Sequence, residues 1–545
     1  MRRLRSNPWV VLVALCLGFF MILLDTTIVN IAIPSIIDGL HASLDQVLWV
    51  LNTYILVYAV LLITASRLGD LFGPKNLFLL GMAVFVVASA ACGQARTPIE
   101  LIGARTVQGI GGALLTPQTL AILTTIFPPE RRGAAFGIWG AIAGVAAVAG
   151  PTLGGFLVTT LGWPWIFYVN VPIGILAFTL GTLVIPNHRP GRRHGLDLPG
   201  VLLSTAGLLG ITFGLIEGQR YDWGQVWTFL SIPLILAVGM ALLLLFFGVQ
   251  ALEQGGEPLL PFALLRERNF SLMNLVGAAL NFGMLGLFLP IVIFFQSVLR
   301  LSALETGLTM APMSVVSMCT APLSGRLADR IGGKYILLTG LTLFAVGMGF
   351  VTWSVSPSAG RWTFLPGLLI AGLGMGCTFA PLATVAMRNI EPRLAGAASG
   401  VFNTSRQIGG VIGGAAVGAV LQNRLASALH DEAVARATQL APAARQPFVA
   451  AFSGIAKHGL DVGAGQTGGS LRLPPGTPPA LAHQLQQAAL AVFQHAYVDA
   501  MRPTMVVPVG VLALAAVACL FISRRRRPVS TPRPAPSIAA GQRSS

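Results

Sequence analysis

Long runs free of Asp, Glu, Lys and Arg dominate the chain. They cover 6–24, 46–66, 76–95, 106–129, 133–188, 198–216, 223–252, 269–299, 306–325, 335–360, 362–387, 407–423 and 503–523. A helix that crosses a bilayer needs about 20 mostly apolar residues. Most of these runs therefore predict one spanning helix each. The run 133–188 is too long for one and is interrupted by Thr159, Thr160, Leu161, Gly162, Trp163 and Pro164, so it predicts two. Three helices extend across one embedded charge: Asp25 in the first, Arg105 in the fourth and Arg406 in the thirteenth. Fourteen spans follow, over 9–33, 46–66, 76–94, 98–120, 133–157, 164–185, 197–216, 227–249, 269–295, 305–325, 335–354, 363–386, 396–421 and 503–522. The first run is too long for a cleaved signal peptide, and no convincing small-residue cleavage site follows it.

Composition supports the same class. Of 545 residues 54% are hydrophobic and only 10% charged, where a soluble protein carries about 25% charged residues. The prediction is an all-α polytopic protein of a cell membrane. The net charge of +16 would suggest nucleic acid on a soluble domain, but loops on the cytoplasmic side of a membrane also collect Lys and Arg. With the N-terminus inside, 23 of the 35 basic residues fall in inside segments, four in short outside loops and six in the long loop 422–502. The basic excess thus reads as orientation, with both termini cytoplasmic, and no nucleic-acid partner is expected. The five cysteines lie in apolar runs without metal-ligand spacing, so no metal, disulfide framework or cofactor is expected.

The chain repeats itself. Ser66, Arg67, Leu68, Gly69, Asp70, Leu71, Phe72, Gly73, Pro74 and Lys75 follow the second helix. Gly325, Arg326, Leu327, Ala328, Asp329, Arg330, Ile331, Gly332, Gly333 and Lys334 follow the tenth, at a constant offset of 259. Gly133 to Gly137 opens the fifth helix as Gly396 to Gly400 opens the thirteenth. Helices 1–6 and 9–14 are then two bundles of one plan, with two helices inserted between them. Parallel repeats with a site between them at mid-membrane are a transporter architecture. The domain plan is 1–190 for the first bundle, 191–266 for the inserted pair, 267–527 for the second bundle and 528–545 for a disordered cytoplasmic tail.

At these residues the sequence resembles the major facilitator superfamily, and within it the 14-helix drug:proton antiporter branch. Leu24 to Pro34, with Asp25 and Asn30, is similar to that branch's first-helix motif. The two Gly/Asp/Gly/Lys loops resemble the superfamily's gating loops, and Arg105 to Gly112 its fourth-helix motif. Gly150, Pro151, Thr152, Leu153, Gly154 and Gly155 resemble the antiporter motif, and Asn403 to Gly410 a signature of the thirteenth helix. Departures are Ser66 where the family has Gly, Leu71 and Pro74 for basic residues, Ala146 for a Gly and Pro164 for an Arg. The resemblance implies proton coupling at Asp25 and Arg105. It also implies inner-side gating by the loops that hold Asp70, Gly73, Lys75, Gly325, Asp329, Arg330, Gly332 and Lys334.

The residues themselves point to the same chemistry. Asp25 is the one acid deep in a predicted helix, while Glu217 and Glu305 lie at outer helix ends. A charged side chain there costs at least ~2.5–3.5 kcal/mol on insertion scales and is usually functional. Counting ~1.5 Å per residue, Asp25 and Arg105 both fall in the outer half of the membrane, so an ion pair is feasible, directly or through Gln108. A rocking motion that changes their separation would switch proton affinity. A permanent structural pair is the rival reading. Polar and aromatic residues expected to face a substrate cavity are Asn30, Asn52, Tyr54, Tyr58, Gln118, Asn274, Asn281, Phe282, Asn403, Arg406 and Gln407. Loop 422–502 holds two candidate surface helices, 424–438 and 479–500, and reads as a cap, a spacer or a dock for an extracytoplasmic partner.

The expected function is export of amphipathic small molecules driven by proton entry, through alternating access of the two bundles. Alternatives are a dedicated exporter of one endogenous lipid or secondary metabolite and a transporter-like membrane sensor. No nucleophile elbow, zinc motif or Walker loop suggests an enzyme.

Overall fold

The computed structural model describes residues 7–42, 44–187, 197–218, 221–253, 258–391, 394–438, 442–457 and 479–523. The expected tail 528–545 and part of the 422–502 loop lie outside them.

The first bundle begins with α1 (Pro8–Ile28), a 3-10 turn (Val29–Ala32) and α2 (Ile33–Leu40), which together form the first predicted span. It continues through α3 (Leu44–Phe72), α4 (Pro74–Gln94), α5 (Pro98–Ile126) and α6 (Arg132–Thr160) to the broken pair α7 (Trp165–Tyr168) and α8 (Asn170–Val184). The inserted pair is α9 (Leu198–Glu217) and α10 (Ile232–Leu252). After a short α11 (Phe262–Arg266), the second bundle runs through α12 (Arg268–Ile293), α13 (Ala303–Ile331), α14 (Gly333–Ser354), α15 (Leu365–Gly376) and α16 (Phe379–Met387). It ends with α17 (Ala395–Ala437), α18 (Pro442–Lys457) and α19 (Pro479–Ala518). Each predicted span meets a helix, though the first is interrupted by the 3-10 turn and the sixth and twelfth are each broken in two.

Among the described residues, 11 helical segments are long and apolar enough to cross a membrane. The three remaining predicted spans coincide with α6, α13 and α17, which are rich in Gly, Ala, Ser and Thr. Their composition has a packing reason. The bundles meet along two seams, α6 against α13 and α3 against α17, and small residues let helix backbones approach closely. The repeat explains the choice of partners, because the second and fifth helices of one half meet the fifth and second equivalents of the other.

The inserted helices pack on each other and against α3 and α17. Leu208 is buried with Leu56 and Val60, and Ile408 covers that cluster from the second bundle. The pair therefore lies over the α3–α17 seam. Its connection contains a small antiparallel hairpin, β1 (Gln225–Trp227) with β2 (Leu230–Ser231), a departure from the all-helical expectation.

The region 422–502 also differs from a loop with separate surface helices. α17 runs 16 residues past the predicted end at 421, roughly 24 Å at ~1.5 Å per residue. α19 starts 24 residues before the predicted start at 503. Leu421, Leu425, Leu429, Ala433 and Ala437 recur on one face of α17 and are buried, as are Leu485, Ala489, Val492 and Ala496 on α19. This apolar stripe keeps both helices continuous beyond the bundle, and Phe448 and Phe452 of α18 join the same core.

Candidate functional site

The ion pair expected from depth arithmetic is present. Arg105 Nη1 lies 2.5 Å from Asp25 Oδ2, and the two side chains are 1% and 0% exposed. The carboxylate's other oxygen accepts from Gln108 Nε2 at 2.9 Å and Asn170 Nδ2 at 3.1 Å. Both amides also donate to Ser89 Oγ, at 2.6 and 3.3 Å. Arg105 donates further to Gln108 Oε1 (2.7 Å) and the Val50 carbonyl (3.1 Å), and its Cζ stands 4.2 Å from the Tyr54 ring centroid. The pair is thus held by side chains of α1, α4, α5 and α8. Ser89 and Asn170 were missed by sequence reasoning, and their one available signal was a polar side chain inside an apolar span. All these helices belong to the first bundle, so rigid rocking of bundle against bundle leaves the Asp25–Arg105 separation unchanged, contrary to the expectation. The break in α-helical winding at Val29, four residues beyond Asp25, marks where α1 can move within its own bundle, since 3-10 turns often mark hinges.

The two repeated loops hold the bundles together at the end that carries residues 8 and 523. Asp329 Oδ1 and Oδ2 accept from the backbone N–H groups of Gly133 (2.8 Å) and Ala134 (2.9 Å), in the first turn of α6. An acid of one bundle thus caps a helix of the other, where the helix dipole favours negative charge. Burial pushes the Asp329 carboxyl above its ordinary range, and the two N–H bonds pull it back. The Asp70 carboxylate lies over Gly396 in the first turn of α17, where any Cβ would collide with it. Ser66, the departure from the family's Gly, donates its hydroxyl to the Gly396 carbonyl. Gly325 stands against the Gly133 carbonyl with no room for a side chain. Gly73 and Gly332 make the turns at φ 91° and 89°, which glycine alone adopts readily.

Lys75 and Lys334 do something the sequence did not suggest. Lys75 Nζ donates to the carbonyls of Thr182 (2.8 Å) and Ile185 (2.7 Å), closing the C-terminal end of α8. Lys334 Nζ does the same with Leu520 and Ile522 just past α19. Each lysine caps the last helix of its own bundle. Arg330, by contrast, is exposed and takes no part in the Asp329 contacts.

Comparison with known proteins decides the family. The Major Facilitator Superfamily profile matches residues 15–414. The chain belongs to the major facilitator superfamily. It is 42% identical over 456 residues to an uncharacterised transporter of this superfamily from Mycobacterium tuberculosis, covering 82% of this chain and 78% of that one. It is 34% identical over 435 residues to the tetracenomycin C resistance and export protein of Streptomyces glaucescens, covering 79% of each. Other relatives in these genera are named for multidrug or antibiotic resistance. Among solved structures, the human organic anion transporter MFSD10 aligns with a TM-score of 0.57 over 93% of this chain and 99% of that one. At 13% identity that likeness shows the fold alone. The protein is therefore a multi-pass membrane transporter of the superfamily, which is not a family of enzymes.

The residues that resemble the superfamily's antiporter motif have a local explanation. Gly150 packs against Thr27, and a Cβ at Gly154 would stand 2.6 Å from Ile28 Cγ1, so α6 lies directly on α1 beside Asp25. Gly155 faces open space. The side chains of Pro151 and Asn30 are outside those described.

The expected cavity residues divide. Gln118 donates to the Ala65 carbonyl (2.9 Å), Asn274 to the Phe270 carbonyl (2.8 Å) and Asn403 to the Ser399 carbonyl (2.9 Å), so the NH2 groups of these three amides are turned onto helix backbone, while the Asn274 Oδ1 is buried without a partner. Tyr54 is buried under Arg105. Asn52 donates to Glu217 Oε1 at 3.2 Å. Glu217 is only 2% exposed, a burial that its position at a helix end did not disclose. Tyr58, Asn281, Phe282, Arg406 and Gln407 keep partial exposure.

Proposed function

We propose that the protein is a proton-coupled antiporter of the cell membrane that exports amphipathic small molecules by alternating access. The observation that carries this reading is Asp25: a fully buried carboxylate inside a span, matched by one cation and two amides. Protonation neutralises Asp25 and weakens its hold on Arg105, which loosens α1 against α4, α5 and α8. Because α6 rests on α1 through Gly150 and Gly154, that loosening reaches the helix that carries the Asp329 contact and the α6–α13 seam.

The positive-inside bias supports fourteen spans with both termini in the cytoplasm. On that orientation the closed end is cytoplasmic. The close approaches between bundles run from Gly133–Asp329 through Gly137–Ala321 to Gly144–Ser314, so the bundles are closed on each other over the cytoplasmic half. A relative named for export supports the direction of transport. Three relatives are named for a single compound each, which favours a dedicated exporter of one metabolite as the second reading.

Efflux from proteoliposomes with an imposed pH gradient tests the mechanism. Asp25→Asn is expected to abolish gradient-driven efflux while leaving the protein folded and able to bind substrate. Unimpaired gradient-driven efflux by that variant would refute proton coupling at Asp25.

A further inference from the structure

Arg406 is the second cation inside a predicted span, and its surroundings are unlike those of Arg105. Arg105 meets a carboxylate, an amide oxygen and a carbonyl. Arg406 has no ion-pair partner among the described residues, and its Nε is buried without a hydrogen-bond partner. The guanidinium carbon stands 5.3 Å from the Phe379 ring centroid and 5.7 Å from that of Phe402. Its stem covers Gly277, where an added Cβ would lie 3.1 Å from Cγ. The ionisable group that faces it is the Tyr58 phenol from the other bundle, whose hydroxyl donates to Thr116 at 3.3 Å. The residue nevertheless keeps partial exposure. A cation is thus held on aromatic faces where the two bundles oppose each other, with donors unspent.

Building on the transporter reading, we propose that Arg406, Phe379, Phe402 and Tyr58 form the substrate-selecting part of the central site, and that the preferred substrate is an amphipathic aromatic anion. Charge balance decides the sign. Asp25 is consumed by Arg105, and Glu217 is bonded to Asn52 at the end of α9. An organic cation would meet Arg406 with no acid to offset it. A sulfonate, carboxylate or phenolate would instead receive the planar fork of a guanidinium that the buried Phe379 and Phe402 hold in place, while its aromatic body meets the partly exposed Tyr58 ring. An uncompensated intramembrane charge is costly and marks a functional position.

The test is equilibrium binding to the purified full-length protein in nanodiscs, corrected with protein-free discs. The probes are anilinonaphthalene sulfonate and its neutral twin N-phenylnaphthylamine. The wild type is expected to prefer the sulfonate by about tenfold, the effect of roughly one charge-assisted contact. Arg406→Gln should remove that preference and leave neutral binding unchanged. Arg406→Lys, which keeps the charge and loses the fork, should retain part of it and decides the matter if the glutamine variant does not fold. Equal binding of the twins to the wild type, displacement of the sulfonate by tetraphenylphosphonium at lower concentration, or equal weakening of both probes in the variants would overturn the proposal. Binding is read without any gradient. Absent export with sulfonate preference intact would therefore sink the antiporter reading and leave this one standing.

Discussion

At the scale of single residues, the ion pair shows why charge in a membrane interior comes with company. Removing one partner of a buried pair strands the other and typically costs about 3–5 kcal/mol. Asp25 guards against this with three donors on its two oxygens. Asn170 supplies one of them from the first residue of α8. Replacing Asn170 with Leu removes a hydrogen bond to a charged group, worth about 1.5–3 kcal/mol. The expected result is a lower unfolding temperature in detergent and slower efflux. An unfolding temperature equal to wild type would show that the amide does not support Asp25. The pair was legible in the sequence because a lone acid and a lone base occupied comparable depths in apolar runs. Asn170 was not, since an uncharged amide in a span carries no comparable penalty and has many satisfactory partners.

At the scale of elements, the two loops use one arrangement twice. Each acid faces the first turn of a helix in the opposite bundle, and each lysine closes the last helix of its own. The acid therefore acts between bundles and the lysine within one. Charge against a helix N-terminus contributes typically 0.3–1 kcal/mol, and up to about 2 when partly buried. Asp329→Asn should accordingly weaken the seal and raise the labelling of a cysteine placed on the cytoplasmic half of α6. Arg330→Ala should leave labelling and efflux within about twofold of wild type, as expected of a surface side chain away from any special contact. A large Arg330 effect would mean that the arginine reaches Asp329 in another state of the cycle. The sequence displayed the repeat and its invariant spacing, so the loops were found. It grouped Arg330 with Asp329 in the second loop, but adjacency along a helix is not contact. Residues i and i+1 point to different faces, and Asp329 turns toward α6 while Arg330 stays exposed.

At the scale of the whole molecule, the sign of the substrate determines what drives transport. One proton entering in exchange for one monovalent cation moves no net charge, so the membrane potential does no work. A proton entering while a monoanion leaves moves two charges in the favourable direction, worth ~4.6 kcal/mol per 100 mV. At ~1.4 kcal/mol per tenfold, that sustains a gradient on the order of 2,000-fold. Export of anilinonaphthalene sulfonate should therefore respond strongly to a valinomycin-imposed potential at zero pH gradient. Export of a monovalent cation should require the pH gradient and stop with nigericin. Potential-driven cation export would instead require more than one proton per turn, and Glu217, buried against Asn52, is the acid available for a second.

The sequence alone disclosed the membrane class, the apolar runs, the internal repeat and the residues of the ion pair. The reason is that partition into a bilayer is decided locally: about 20 apolar residues cross, and an embedded charge stands out against them. Tertiary structure decided everything that depends on which face of a helix meets which neighbour. It turned Gln118, Asn274 and Asn403 onto backbone carbonyls and buried Glu217 beneath α3. It also carried α17 beyond the bundle on a stripe of leucines and alanines and left Arg406 without a counter-ion among the described residues. In a lipid-facing helix the apolar residues run all the way round, so hydrophobic periodicity no longer marks the inward face. Rotation and register come instead from close packing of small residues between helices, and those contacts join positions hundreds of residues apart.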